Sequence, residues 1–235
     1  GGKFSTSQKR GIFMDTALEI LPADYWRWYL TANAPESADS SFTWQHFADT
    51  VNKDLADVLG NFVNRTLRFT DSKFGPAIPD GGLPGPKETK LAVELERRFG
   101  IYSVLLDEIQ LRKAAAELRA IWVLGNEYLA DAAPWTVVRT DKAAAAVSVR
   151  TAFNLIRLFA RLSSPIIPFA AEAMTRSLKL DPRSLYWPKG RIAEELVILK
   201  PGHTFNVPAQ GEVLFTKILP EQIAAWEARF GNSGA

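Results

Sequence analysis

Residues 43–74, "TWQHFADTVNKDLADVLGNFVNRTLRFTDSKF", decide the fold. Phe47, Val51, Leu55, Val58, Phe62 and Phe69 recur at steps of three, four or seven, the spacing of a single apolar stripe along an α-helix. Thr43 stands where an N-cap belongs. The opposite side carries Asp54, Asp57, Asn61, Asn64, Arg65 and Arg68. A helix of this length with one apolar stripe requires partners to cover it, and the flanking sequence supplies them. Downstream, "GPAIPDGGLPGPK" is too rich in Gly and Pro for a helix or a central strand and reads as a connection. Helices follow over about 88–106, 111–129, 142–162 (Val149, Phe153, Ile156 and Phe159 inward) and 169–178. The stretch after them is loop-rich, with room for a small strand, and a closing helix runs over 220–231, with Pro at its first turn and Gly after its end. Upstream, Asp15 is placed to cap a short helix closed by Pro22, and residues 23–35 form a second helix with Tyr25, Trp28 and Tyr29 on one side. Strand signals are nearly absent. The expected class is all-α: an antiparallel helix bundle with short N-terminal linker helices and an irregular C-terminal tail that ends in a helix.

Composition narrows the function. The chain has 235 residues, 47% of them apolar, enough for a substantial core. Lys and Arg total 28 against 26 Asp and Glu, a net charge of +2, so any nucleic-acid contact is expected to be local rather than a basic coat. There is no cysteine and there are two histidines, His46 and His203, which excludes thiolate sites and leaves no zinc site to be expected. No apolar leader and no uninterrupted apolar stretch near the length of a membrane span stand out, so no membrane insertion is expected. Paired carboxylates in an apolar setting, a Gly-rich phosphate loop and a nucleophile elbow are all missing.

Three features carry chemistry. "KFSTSQKRGIF" (residues 3–13) offers Lys3, Lys9 and Arg10 as cations and Ser5, Thr6 and Ser7 as hydroxyls, a mixture that suits a polyphosphate or, equally, a solvated arm. Asn61 and Arg65, four residues apart, project from one helix face and present amide and guanidinium groups to base edges, phosphates or plain solvent. Trp135 follows a helix-ending Pro134, either as a core plug or as an exposed platform for an unstacked base.

In this order and spacing, the three features resemble the C-terminal half of the methionyl-tRNA synthetase family. "KFSTS" with "RGIF" resembles the signature loop of class I synthetases, and "PADYWRWYLTANAPESADSSFTW" resembles the segment that connects the catalytic and anticodon domains. "VNKDLADVLGNFVNRTLRF" and "EYLADAAPW" are similar to helices of the anticodon-binding bundle, and the tail from Leu199 is similar to that of the archaeal and eukaryotic branch. The resemblance implies a division into 1–42 (signature loop and linker helices), 43–190 (anticodon-binding bundle) and 191–235 (tail packing back). It implies that Asn61, Arg65 and Trp135 read the CAU anticodon of tRNA(Met). It also implies that Lys3, Ser5 and Ser7 serve catalysis, while Lys3, Thr6, Lys9 and Arg10 hold the ATP phosphates, with Mg2+ in the parent enzyme. Thr6 stands where the family has a second lysine, which removes one cation from that site. The family's nucleotide-binding sheet and methionine pocket are expected before Gly1, so this segment by itself should not aminoacylate. The implied activity is that of a cytoplasmic methionine–tRNA ligase acting on methionine, ATP and tRNA. The alternative is a freestanding tRNA-binding or subunit-interaction module.

Overall fold

The computed structural model describes residues 11–36 and 40–230. Lys3, Ser5, Thr6, Ser7, Lys9 and Arg10 therefore lie outside the described residues.

Apolar spacing and helix-end chemistry explain the order of elements: α1 (Met14–Ile20), α2 (Ala23–Ala32), α3 (Trp44–Val51), a π segment (Asn52–Gly60), α4 (Asn61–Phe74), α5 (Pro86–Asp107) and α6 (Leu111–Ala132). There follow α7 (Pro134–Val137), α8 (Lys142–Ser163), α9 (Pro168–Ser177), a 3-10 turn (Pro182–Ser184), α10 (Ile192–Glu195) and α11 (Pro220–Phe230). Thr43 does cap the long helix, its side chain accepting from the His46 N–H. Asp15 does not cap α1. That position falls to Phe13, and the Asp15 carboxylate instead accepts from the adjacent Thr16 N–H. The expected small strand is reduced to one isolated antiparallel bridge, Ala77 with Thr204.

α5 and α6 form an antiparallel hairpin whose open end is joined by Lys87, which donates to the Asp131 carbonyl (2.8 Å) and pairs with its carboxylate. The buried stripe of α3–α4 faces this hairpin and α8. Its centre is Phe62 against Phe159, with ring centroids 5.2 Å apart. Gly125 on α6 allows the approach: a Cβ there would meet Phe159 at 2.8 Å and Phe62 at 3.0 Å. Trp28 and Trp122 pack at 4.7 Å and tie α2 to α6.

α8 is the axis of the bundle. From Ala145 to Ser163 every residue but Arg157 is buried, the pattern of a helix surrounded on all sides. By length and composition alone it is apolar enough to cross a membrane, but 78% of its most apolar window is covered by other elements of the protein. The tail covers the face that the inward stripe leaves open. Asn154 of α8 donates to the Leu199 carbonyl (3.2 Å) and accepts from the Leu199 N–H (2.7 Å). Glu195 of α10 receives Arg157 (2.5 Å) and Arg161, while Arg161 also donates to the Tyr186 carbonyl. Burial pushes the Glu195 carboxyl up, and hydrogen bonds from Arg157 and Arg161 outweigh it, leaving the group below its ordinary value.

Two assignments change. Asp54, expected on the solvated face, is buried. It pairs with Arg119 of α6 and accepts from the Trp28 indole N–H at 3.2 Å. Val58 and Phe69, expected in the stripe, are only partly buried, while Leu59, Val63 and Leu67 take its innermost positions.

Candidate nucleic-acid interface

α6 ends because the ring of Pro134 disfavours right-handed helical backbone at Ala133. Ala133 instead takes a left-handed conformation, φ 42° and ψ 52°, which costs a non-glycine residue about 1–2 kcal/mol. Pro134, buried, then opens the single turn α7, and this turn delivers Trp135 to the side of α4.

Trp135 is half-buried. One side of it lies against Phe69 of α4, edge to face with centroids 6.3 Å apart. Across its ring lies the Arg65 guanidinium, 3.3 Å from the ring centroid. Phe69 continues to Phe74 (6.3 Å, edge to face), and the Lys142 ammonium lies 5.5 Å from the Phe74 ring. The result is one row, Arg65, Trp135, Phe69, Phe74 and Lys142: three aromatic rings with a cation at each end, at the end of the bundle where α4, α7 and the start of α8 meet.

The sequence-predicted residues Arg65 and Trp135 are thus in direct contact. Asn61 is exposed one turn before Arg65, and its side chain has no hydrogen-bond partner among the described residues. Arg65 is exposed and makes no ion pair among the described residues. Its neighbour Arg68 is committed differently, donating to the Ala209 carbonyl (2.8 Å) and the Glu212 carbonyl (3.0 Å) of the tail. Sequence reasoning missed Phe69, Phe74 and Lys142. Phe69 looked like a core residue, Phe74 lies far from Trp135 along the chain, and Lys142, although only a turn and a loop beyond Trp135, reaches the row through Phe74 and not through Trp135 itself. Among the described residues, no group of three His, Cys, Asp or Glu is arranged to hold a metal.

Residues 78–235 match the family model described as the anticodon binding domain of methionyl tRNA ligase. The chain belongs to the methionyl-tRNA ligase anticodon-binding family. Residues 1–67 match the model of class I tRNA synthetases of the M type. Among curated relatives, the methionine–tRNA ligase of Caulobacter sp. (strain K31) is 57% identical over 233 residues, 99% of this chain and 40% of that protein. That of Cereibacter sphaeroides (strain KD131) is 54% identical over 232 residues, again 99% and 40%. The chain thus spans about 40% of the length of the curated relatives it matches. The apo methionyl-tRNA synthetase of Mycobacterium tuberculosis has the same fold, with a TM-score of 0.76 at 20% identity over 89% of this chain and 41% of that one. The expected tie to the archaeal and eukaryotic branch is not supported, because these relatives, which align over nearly the whole chain with its tail, are bacterial.

Proposed function

We propose that the cation–aromatic row is the anticodon-reading face of a methionine–tRNA ligase, of which this chain is the C-terminal part. The observation that carries the reading is the Arg65 guanidinium lying on the Trp135 ring beside an Asn61 amide with no internal partner among the described residues. Sequence-specific RNA recognition works on unpaired bases, held by stacking and read at their edges. A splayed base of the CAU anticodon stacks on Trp135, and Phe69 supports the ring from behind. As the base enters, Arg65 gives up a cation–π contact worth about 0.5–1 kcal/mol at an exposed site. Its N–H donors then turn to the base edge or the adjoining phosphate. Asn61 offers both a donor and an acceptor to the base edge, and Lys142 meets the backbone at the far end of the row.

In the parent enzyme, the proposed reaction is ATP-dependent activation of methionine followed by transfer to tRNA(Met). Lys3, Ser5 and Ser7 would serve catalysis, Lys3, Thr6, Lys9 and Arg10 would hold the ATP phosphates with Mg2+, and the protein would act in the cytoplasm. We further divide the chain into 1–42 as the end of the catalytic part, 43–190 as the anticodon-binding bundle and 191–235 as the tail. The freestanding-module alternative is disfavoured, because in the curated relatives the matching segment belongs to a longer ligase. The test is titration of this chain with an anticodon stem-loop carrying CAU and with one carrying a changed first base. Tighter binding of CAU supports the reading, and equal affinity for both ends it.

A further inference from the structure

The α3–α4 rod carries an unusual feature directly before Asn61. Its innermost residues, Val51, Leu55, Leu59, Val63 and Leu67, are all buried and follow one another at steps of four. An α-helix has 3.6 residues per turn, so each step of four overshoots a full turn by about 40°, and four steps would carry Leu67 roughly 160° round from Val51. The π segment Asn52–Gly60 offsets this drift. Its turns close from residue i to i+5 and take more residues per turn, so a step of four no longer runs ahead. The last such link joins the Asn61 N–H to the Ala56 carbonyl. The direction in which Asn61 and Arg65 leave the rod therefore depends on the π segment staying intact.

π turns are rare and are usually single bulges. This nine-residue one is gripped on several sides. From α6, Asn126 donates to the Val58 carbonyl at 3.2 Å, and Arg119 pairs with Asp54. From the tail, the grip is closer. The Asn52 amide donates to the Ile218 carbonyl (2.9 Å) and accepts from the Ile218 N–H (2.8 Å), a closed two-bond pair. Lys217 pairs with Asp57 at 2.6 Å. Phe215 lies over Gly60, where a Cβ would sit 3.0 Å from the Leu55 carbonyl and 3.7 Å from the Phe215 ring.

We propose that Asn52, locked to the tail at Ile218, is a positioning residue for anticodon discrimination: it holds the π segment and so aims Asn61 and Arg65. This rests on the anticodon reading above. The natural control is Asn154, which makes the same two-bond pair with the tail at Leu199 but from α8, away from the reading face. The experiment compares the full chain with Asn52→Ala, Asn52→Asp and Asn154→Ala. It measures the ratio of affinities for the CAU and changed-base stem-loops, together with amide hydrogen exchange over residues 56–66. The expected result is a fall of at least fivefold in the ratio and faster exchange over 56–66 in Asn52→Ala, with Asn154→Ala within twofold of wild type on both. Asn52→Asp keeps the acceptor for the Ile218 N–H and loses the donor, so it should fall between. It also carries the decision should Asn52→Ala fail to fold by circular dichroism. A ratio unchanged in the folded Asn52 variants, or lost equally in Asn154→Ala, overturns the positioning role. A wild-type chain that does not discriminate overturns the anticodon reading itself, and the positioning role with it.

Discussion

Arg161 on α8 and Arg65 on α4 show two opposite uses of the same side chain. Arg161 is buried and bonded to the Glu195 carboxylate and the Tyr186 carbonyl, with Arg157 beside it on the same carboxylate. Arg65 is exposed, lies over the Trp135 ring and meets no carboxylate among the described residues. A guanidinium buried and paired inside the protein is out of a ligand's reach. One held only by a ring face is kept in a defined place with its N–H groups available. The comparison separates the part of the molecule that holds the tail down from the part proposed to meet RNA.

The largest expected effect lies on the buried side. Glu195→Ala leaves two arginines facing each other without their anion, and a broken buried pair of this kind costs about 3–5 kcal/mol. Denaturant unfolding should show that loss, while the ratio of affinities for CAU and changed stem-loops, measured under conditions where the variant is folded, should stay at the wild-type value. On the open side the pattern should reverse. Trp135→Ala is expected to weaken the CAU complex by about 1–3 kcal/mol, the range for a lost base stack. A loss of stability larger than the loss of binding would mark Trp135 as a core plug instead.

Acid sharpens the contrast. The folded-state Glu195 carboxyl lies below its ordinary value of 4.5, so its contribution to stability is present above that pH and is lost as pH falls through the folded value. Glu195→Gln should therefore show a flatter loss of stability below about pH 4.5 than wild type, read by thermal melts across pH. Asp24 has the opposite sign. Burial raises its carboxyl despite the Ala170 N–H at 2.6 Å, so its unfavourable effect grows as pH rises through the folded value. The smallest effect is expected at Lys142. Lys142→Ala should leave folding and anticodon preference unchanged while lowering the salt dependence of stem-loop binding by about one phosphate contact.

Much of this was legible in residues 43–74, because a buried stripe and a capping threonine are local signals. The Thr43 cap formed as expected, whereas the contact between the two most suggestive side chains, Arg65 and Trp135, was not expected, because nothing local announces that they touch. The failures have two causes. Asp54 looked solvated on a helical wheel because the wheel knows nothing of Arg119, which reaches it from α6 across 65 residues of sequence. Val58 and Phe69 looked innermost because the wheel assumed α-helical turns throughout, whereas Val58 lies within π turns and Phe69 follows them.

The sequence by itself determined the helices, their order and the residue types able to meet an unpaired base, since periodicity, caps and breakers act within a few residues of where they stand. Only the tertiary structure decided that α8 is covered on every side, that three aromatic rings and two cations form one row, and that the tail grips the π segment at Asn52. Each of those depends on contacts between residues far apart along the chain, which packing creates and local spacing does not encode.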